Sequence, residues 1–406
     1  MFKDNWLQEG PTLKELANLV KDERKAENDV AIIMPSFRGK EKLGRHMQYL
    51  KEQTFQDFDL IIVYGPDDEL IENTEEFSLA HIRRNNDYGS AGGFYTGERF
   101  VLEEDYKYLI LADDDCFPID KKLVGNIVKV LKENQVVVFP TADVGDSNFI
   151  THLMGFYAGV RTDSLYKAGL SWMPFYYYCE DLEWHNRLNI YAKNVIIPSK
   201  VVHETRQIYF FSERAYYVVR NSLMLEFMMG KKRVFFTYLY VFMTSGFSFY
   251  LLDQPRSRYL LQGIADFVSG RMFRGNYKAV RYEQDNCNLP TEAIGINYEH
   301  KNEIMRKWKT TLGAFNKKIF TNKANFTGWW VIFLYLLSSE LFVVDKKEHV
   351  IYQGRTGFLN KIAFVLLLPL IVTGSLTLTI IIFLYSHLFV PYRSKKNIKY
   401  GVPKQR

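Results

Sequence analysis

The 406-residue sequence has little cysteine, and its three cysteines, Cys116, Cys179 and Cys287, are widely spaced. Because no CxxC pair occurs, a disulfide scaffold and a cysteine-based zinc site are excluded, and a reducing compartment is favoured. The net charge is also small, at +6. This value is too low to indicate nucleic-acid binding without a local basic patch, so we expect no nucleic-acid partner.

Residues 1–28 lack the apolar run that a secretion signal requires, since charged residues are spread through them. Thr12 is followed by Leu13, Leu16, Leu19 and Val20, a spacing that predicts an amphipathic N-terminal helix capped by the threonine. We therefore expect the domain that follows to be made in the cytosol and to stay there.

Aromatic residues, by contrast, are abundant: 27 Tyr, 31 Phe and 6 Trp make up 16% of the chain. Such side chains suit sugar-binding clefts and membrane interfaces. From residue 30 to about 205, apolar runs of strand length at 30–34, 60–63, 108–111 and 136–139 alternate with helical patterns. This alternation predicts an α/β sandwich with a largely parallel sheet, whose ligands bind beyond the carboxyl ends of the strands.

Three consecutive carboxylates, Asp113, Asp114 and Asp115, follow the apolar run at 108–111. They would repel one another at the end of a buried strand unless a cation neutralised them, and oxygen ligands favour Mg²⁺ or Mn²⁺ over zinc. Alternate residues of an extended segment share a side, so Asp113 and Asp115 would share the ion and Asp114 would face elsewhere. A solvated turn with a helix N-cap before Pro118 is the alternative.

Two further motifs lie in the same part of the chain. The glycine-rich segment 84–93 precedes a helical pattern, and its small residues would let a diphosphate approach the backbone, although an ordinary turn is the commoner case. Glu180 and Asp181 begin a helix under a tyrosine cluster, where burial would raise the pKa of a general base. Helix capping is the alternative there, and His203 alone is more often structural than a ligand.

Taken together, these motifs resemble the GT-A-fold, family 2 glycosyltransferases, especially galactofuranosyltransferase-like and rhamnosyltransferase-like enzymes of polysaccharide synthesis. The resemblance covers residues 29–225. It rests on the PxxR end of the first strand, the NDYGSAGG turn, the ADDD strand end, the ED-x-x-W helix start, the downstream His203 and the YY-x-x-RN segment at 216–221. The chain departs from the family at residues 64–68, where an Asp-x-Ser turn is usual, and at Asp87, where Asn is common.

The resemblance implies a role for each matching residue. Asp181 would be the catalytic base and Glu180 its acidic neighbour, and Asp113, Asp115 and His203 would hold Mn²⁺ or Mg²⁺. The nucleotide sugar would contact Pro35, Arg38, Asn86, Asp87, Gly92, Gly93, Asp113 and Asp114. Aromatic residues near the helix start are candidates for stacking on sugar rings, with ordinary core packing as the alternative: Trp172, Tyr176 and Trp184.

The implied function is that of an inverting, divalent-metal-dependent glycosyltransferase of cell-wall or other polysaccharide synthesis. It would move galactofuranose or another hexose from a nucleotide diphosphate sugar, such as a UDP-sugar, to a hydroxyl of a lipid-linked or polysaccharide acceptor. A metal-dependent nucleotidyl- or phosphotransferase acting on a membrane lipid is one alternative. A non-catalytic membrane scaffold is another. The sequence leaves the oligomeric state open.

Beyond residue 207 the chain becomes more apolar, and residues 362–392 contain no Asp, Glu, Lys or Arg. This pattern predicts an interfacial helical region at 226–323, a membrane hairpin within 324–392 and a basic tail at 393–406. The hairpin would span at 324–344 and roughly 364–385, with a shallow re-entrant or interfacial segment at 324–344 as the alternative. Seven Lys or Arg residues lie in 301–323 and six in the tail, against four in the loop 345–361. This distribution predicts a cell-membrane protein whose catalytic domain and tail face the cytoplasm.

Overall fold

The structure is a computed structural model that describes most of the chain. The described residues are 11–25, 28–36, 39–72, 76–144, 147–150, 155–203, 214–252, 254–272, 274–275, 294–295, 317–321, 336, 338–344, 350–355 and 357–398. They fall into two compact units, one of residues 1–205 with 395–406 and the other of residues 206–394.

In the first unit, the described residues form one mixed sheet of ten strands. The strands are β1 (Ala17–Asp22), β2 (Val30–Pro35), β3 (Asp59–Tyr64), β4 (Leu79–Arg84), β5 (Tyr108–Ala112), β6 (Cys116–Phe117), β7 (Val136–Val144), β8 (Ser147–Ile150), β9 (Phe156–Arg161) and β10 (Lys193–His203). Their order is β1-β4-β3-β2-β5-β9-β7-β10-β6, and β8 pairs with β7. The central strands β4, β3, β2 and β5 are parallel, as are β7 and β10.

The helices of this unit pack on the sheet through regularly spaced apolar residues. They are α1 (Leu13–Leu16), α2 (Lys40–Lys51), α3 (Gly89–Glu103), α4 (Leu123–Glu133), α5 (Thr162–Ala168) and α6 (Glu180–Leu188). The periodic residues Leu43, Met47 and Leu50 of α2 are buried against apolar strands in one core. The α/β architecture predicted from the alternation is confirmed, but the expectation of a largely parallel sheet is wrong, because β1, β6 and β9 run antiparallel to their neighbours.

The predicted N-terminal amphipathic helix is wrong beyond one turn. Thr12 does begin a helix, and its backbone N–H donates to Glu15 at 2.8 Å, but α1 ends at Leu16. Leu19 and Val20 lie instead in β1, which pairs antiparallel with β4, and each is 42% exposed. The edge of β4 has backbone N–H and C=O groups that need partners. The hydrogen bonds that β1 makes with them outweigh the weak local preference of residues 17–22 for a helix. Residues 1–10 of this prediction lie outside the described residues.

The second unit contains helices and a small sheet. The helices are α7 (Arg214–Met228), α8 (Lys232–Leu252), α9 (Gln254–Ser269) and α10 (Phe358–Ile398). Among the described residues, four strands pair in chain order: β11 (Ile294–Gly295), β12 (Lys317–Thr321), β13 (Ser338–Val344) and β14 (Val350–Arg355). Within α7, the buried Arg220 donates to the hydroxyl of Tyr216 at 3.1 Å, and Tyr216 donates to Asp266 of α9 at 2.8 Å. This part of the YY-x-x-RN segment therefore belongs to a buried polar network.

The predicted membrane hairpin is wrong in its first span. Residues 338–344 form strand β13, whose backbone pairs with β12 and β14 rather than within a helix. A bilayer-spanning segment must satisfy its backbone internally, so an open sheet strand cannot continue the helix predicted there. Most of 324–335 lies outside the described residues. The second predicted span, 364–385, lies within α10.

Within the described part of the chain, two helices are long and apolar enough to cross a bilayer, Lys232–Leu252 and Phe358–Leu388. In Lys232–Leu252, 50% of the most apolar stretch is buried within the protein, compared with 11% in Phe358–Leu388. Leu366 and Leu370 of α10 are 72% and 67% exposed. The contrast identifies α10 as the helix with the larger uncovered apolar surface.

A buried histidine makes the stability of the first unit depend on pH. His46 of α2 is fully buried and pairs through Nε2 with the hydroxyl of Tyr157. Burial lowers the pKa of His46 to about 4, below its value of roughly 6.5 in an unfolded chain. The unfolded state therefore binds the proton more readily than the folded state does. As a result, the free energy of unfolding decreases as pH falls from roughly 6.5 towards 4, by up to about 3 kcal/mol.

We expect urea denaturation to show this loss between pH 7 and pH 4.5. His46→Gln keeps a neutral polar side chain and removes the titration, so its stability should change less over the same interval. An equal pH slope in the wild type and in His46→Gln would contradict the assignment to this residue.

Candidate active site

Asp113, Asp115 and His203 form a compact group, which we call the Asp-Asp-His cluster. Asp113 and Asp115 follow β5, and His203 ends β10, where it pairs across from Cys116 of β6. His203 Nε2 lies 3.1 Å from Asp115 Oδ1 and 3.7 Å from Asp113 Oδ2. One potential ligand atom from each residue lies within 4.8 Å of the others. Two carboxylates and an imidazole at this spacing fit a divalent cation such as Mn²⁺ or Mg²⁺.

The cluster carries a strong internal charge interaction. Burial lowers the pKa of His203, but its hydrogen bonds and charge interactions with Asp113 and Asp115 raise it overall to about 9. Burial raises the pKa of Asp115, but His203 and Lys42 lower it overall to about 2. Lys42 Nζ lies 3.1 Å from Asp115 Oδ2. A divalent cation would supply the positive charge that the imidazolium and Lys42 supply in this structure.

The middle carboxylate, Asp114, lies outside the Asp-Asp-His cluster. Its Oδ2 accepts a hydrogen bond from Ser36 Oγ at 3.4 Å. A Cβ added at Gly39, the residue before α2, would overlap with this same oxygen. Asp114 therefore sits at the N-terminus of α2, where the helix dipole favours a negative charge. Of the other residues predicted nearby, Pro35 ends β2 and Arg38 lies outside the described residues.

Glu180 and Asp181 begin α6 after a segment of unusual backbone. Tyr176, Tyr178 and Cys179 have positive φ angles of 64°, 70° and 67°. Such angles are costly for residues other than glycine and are concentrated at functional sites. The segment delivers Glu180 to a buried position, 7% exposed, where it accepts a hydrogen bond from Ser90 Oγ. Asp181 is half-buried and accepts one from the Leu182 N–H at 2.8 Å.

The pKa of both carboxyls at the start of α6 is raised. Burial is the main cause for each; the charge of Asp181 adds to it for Glu180, and the charge of Asp113 adds to it for Asp181. The negative charge of Asp113, a member of the Asp-Asp-His cluster, therefore contributes to the raised pKa of Asp181. A carboxylate with a raised pKa is suited to accept a proton near neutral pH.

The glycine-rich turn is joined directly to the tyrosine segment. Asp87 accepts hydrogen bonds from the Gly89 N–H at 3.0 Å and from the Tyr176 hydroxyl at 2.8 Å. Gly89 has a φ of +68°, and a Cβ there would overlap with the Tyr176 carbonyl oxygen. The departure at Asp87 thus has a structural reason, because both of its partners are donors, which a carboxylate accepts.

Three residues predicted to bind the nucleotide sugar also make contacts within the protein. Gly92 and Gly93 are buried, and a Cβ at either would collide, with Tyr88 in the first case and with Pro35 in the second. These two glycines allow α3 to pack closely on its surroundings, and their role as ligand contacts stays a prediction. Asn86 is exposed and donates to the Tyr88 hydroxyl at 3.2 Å.

The three aromatic candidates differ in their exposure. Trp184 is 0% exposed and belongs to the interior, because it lies on the buried side of α6, so it does not offer a face to a sugar. Trp172 is 8% exposed and meets Phe175 edge-on at 4.8 Å. Tyr176 is half-buried, with its hydroxyl on Asp87. Tyr176 therefore combines a partly open ring with a fixed position.

Ionic side chains hold the loop that carries Trp172 and Tyr176. Arg187 pairs with Glu183 at 2.6 Å and donates to the carbonyl oxygens of Ala168 and Leu170 at 2.6 and 2.7 Å. Glu98 of α3 accepts from the Ser171 N–H at 2.6 Å, and burial raises its pKa to about 7. These contacts anchor the loop between α5 and α6 at its first residues.

The sequence did not indicate several residues that contact the site. Lys42 is not part of any motif recognised in the sequence, and it reaches Asp115 because of the position of α2 in the fold. Ser90 lay in a recognised turn, but its partner Glu180 is 90 residues away. Phe156, whose ring stacks on His203, is one apolar residue among many in its strand.

Comparison with known proteins finds similarity over part of the chain. Residues 31–206 match the family described as Glycosyl transferase family 2. An uncharacterised glycosyltransferase of Haemophilus influenzae is 30% identical over 112 residues, which are 27% of this chain and 37% of that protein. The match supports a family 2 glycosyltransferase domain, and the chain spans well under half of this curated relative.

Two solved structures show a loose resemblance. The crystal structure of S. aureus TarS 1-349 in complex with UDP has a TM-score of 0.44 at 12% identity, covering 59% of this chain and 80% of that one. The mannosyltransferase PcManGT from Pyrobaculum calidifontis, in complex with GDP-Man and Mn²⁺, has a TM-score of 0.40 at 10% identity, covering 66% and 81%.

Proposed function

We propose that the chain is an inverting glycosyltransferase that uses a nucleotide diphosphate sugar and a divalent metal. The observation that carries this proposal is that Asp181, at the start of α6, lies outside the Asp-Asp-His cluster, whose candidate ligand atoms lie within 4.8 Å of one another, in a domain that matches family 2. One carboxylate thus stands apart from the group that would hold the cation. This separation gives the two sets of acidic residues different roles.

The reaction needs one proton transfer and one displacement. Asp181 accepts the proton of an acceptor hydroxyl as that oxygen forms a bond to the anomeric carbon, and the bond from this carbon to the diphosphate oxygen breaks. With a single displacement, the anomeric configuration inverts. Asp113, Asp115 and His203 would hold Mn²⁺ or Mg²⁺, which supplies charge stabilisation for the departing nucleoside diphosphate. Ser90 holds Glu180 in place beside the base.

The finer assignments belong to this proposal as well. By the resemblance of its motifs, the donor is a hexose such as galactofuranose, and the acceptor is lipid-linked or a polysaccharide. Nucleotide contacts are proposed at Pro35, Arg38, Asn86, Asp87, Gly92, Gly93, Asp113 and Asp114. Trp172 and Tyr176 are proposed to meet sugar rings. We place the catalytic unit on the cytoplasmic side of the cell membrane, where nucleotide sugars are made.

A donor screen tests the proposed function. The purified full chain in detergent is incubated with a panel of nucleotide sugars, including UDP-galactofuranose and dTDP-rhamnose, with Mn²⁺ or with EDTA. We expect release of a nucleoside diphosphate from one donor only when Mn²⁺ is present. Release of pyrophosphate instead would favour a nucleotidyltransferase, and the absence of turnover with every donor would contradict the proposal.

We also propose that α10 associates with the membrane, because its apolar residues Leu366 and Leu370 are largely exposed. An aspartate in a bilayer costs about 2.5–3.5 kcal/mol at the centre of a helix. The double substitution Leu366→Asp with Leu370→Asp should therefore shift the protein from the membrane fraction to the soluble fraction. Ile190→Asp, at a residue that is 70% exposed in the first unit, is the matched control. Equal membrane association of all three proteins would refute this role of α10.

A further inference from the structure

Three consecutive residues, Gly155, Phe156 and Tyr157, lie against the Asp-Asp-His cluster without belonging to it. The Gly155 carbonyl oxygen accepts the Asp113 N–H at 2.7 Å. The Phe156 ring stacks on the His203 ring, with centroids 4.4 Å apart and planes at 22°. The Tyr157 hydroxyl pairs with His46 of α2. One short segment thus contacts two of the three candidate ligands directly.

A β-bulge produces this arrangement. In the pairing of β5 with β9, Leu111 lies opposite Ala158 and Ala112 lies opposite Phe156, so Tyr157 is an extra residue. Its φ is +61°, in the left-handed region. Neighbouring residues of a regular strand face opposite sides, but Phe156 and Tyr157 both lie in the same core cluster. Bulges commonly redirect a side chain beside an active site.

Gly155 leaves the room that the Asp113 carboxylate occupies. A Cβ at residue 155 would overlap with the carboxyl carbon and an oxygen of Asp113. Any other residue there would therefore displace a candidate ligand. Because the Asp113 N–H is bonded to the same glycine, its backbone cannot move away without losing that hydrogen bond.

Stacking by Phe156 takes the place of the hydrogen bond that usually orients the ring of a metal-binding histidine. A histidine that binds a metal normally donates its other ring N–H to a fixed partner, which sets the ring orientation. In the part of the chain that the structure describes, His203 Nδ1 is buried and has no hydrogen-bond partner. The Phe156 ring, itself 6% exposed, stacks on the imidazole and so restricts the plane of the ring.

We propose that Gly155 and Phe156 are positioning residues for divalent-metal binding, Gly155 by admitting the Asp113 carboxylate and Phe156 by orienting His203. This inference rests on the proposed metal site. The bulge at Tyr157, tied to α2 through His46, keeps both residues in place. Neither residue belongs to the Asp-Asp-His cluster, so each would act through one of its residues.

Mn²⁺ binding to the purified full chain, measured by electron paramagnetic resonance of the free ion, tests the first residue. Gly155→Ala should raise the Kd for Mn²⁺ about 10–100-fold, the range found when groups that support a metal ligand are lost. Gly44→Ala is the matched control, because a Cβ at Gly44 meets nothing within 4 Å. Its Kd should equal that of the wild type.

Phe156 is tested by substitutions that separate ring stacking from bulk. Phe156→Leu should raise the Kd for Mn²⁺ over the same range, whereas Phe156→Tyr keeps a ring on His203 and should retain the wild-type value. Phe139→Leu removes a ring of the same size from a buried position in β7, away from the cluster. It should lower the unfolding temperature as Phe156→Leu does, but leave the Kd unchanged.

Asp115→Ala separates failure of this inference from failure of the proposed function. If Asp115→Ala loses Mn²⁺ binding while Gly155→Ala and Phe156→Leu bind like the wild type, the positioning role is overturned and the metal site stands. If the wild type and Asp115→Ala bind Mn²⁺ equally, the Asp-Asp-His cluster is not the metal site, and the positioning role is refuted with it.

Discussion

Asp181→Asn should abolish sugar transfer and leave donor binding intact. The substitution keeps the shape of the side chain, and its carbonyl oxygen can still accept the Leu182 N–H, but the amide cannot take a proton from the acceptor. We expect a loss of transfer rate on the order of 10²–10⁴-fold, the usual contribution of a general base. Two quantities are measured separately: the rate of sugar transfer to the acceptor, and the equilibrium binding of the donor that the screen identifies.

Asp163→Asn is a suitable control for this experiment. Asp163 is a carboxylate near the start of α5 that pairs at the surface with Arg161 at 3.3 Å, so replacing it tests the effect of losing one negative charge elsewhere. Its transfer rate should match that of the wild type. Near-normal transfer by Asp181→Asn would show that another group is the base, and Glu180 would then be the next residue to replace.

Asp115→Ala and His203→Ala should both weaken activation by Mn²⁺, with the larger effect from Asp115. Losing an anionic ligand of a hard cation costs more than losing a neutral one. Asp115 also pairs with both His203 and Lys42, so its removal leaves two cationic groups without their shared partner in the site. Loss of an outer contact alone raises metal requirements about 10–100-fold, and we expect at least this increase for Asp115→Ala.

The concentration of Mn²⁺ that gives half-maximal activity is the quantity to measure in these variants. Asp163→Ala removes a carboxylate outside the cluster and should leave this concentration unchanged. If both cluster variants respond to Mn²⁺ like the wild type, Asp113, Asp115 and His203 form only an ion-paired network at the sheet edge.

The apolar runs of the sequence were enough to predict strands β2, β3, β5 and β7, but not β4 and β9 between and beside them, and to predict the place where Asp113–Asp115 emerge from the sheet. Runs such as 108–111 fill strands that are buried on both faces, so composition and position in the fold coincide there. The periodic apolar residues of α2 and α4 were equally informative, because helix packing depends on the same spacing. The acidic start of α6 also followed from local sequence.

Pairing between strands distant in the chain determined the secondary structure that local patterns did not predict. Leu19 and Val20 became a strand because β4 offered an open edge, and residues 338–344 became a strand because β12 and β14 pair with them. Local preference is weak compared with the hydrogen bonds that a neighbouring strand supplies, and no local pattern records which neighbour will be present.

The site shows the same division at the level of single residues. The acidic residues of the site could be identified from the sequence alone. The pairing of β10 with β6, however, brought His203 to Asp115, and the packing of α6 buried Trp184. The bulge that turns Phe156 onto His203 depends on a register between β5 and β9. Such registers are set by contacts between segments far apart in the chain, and a linear pattern of residue types does not contain them.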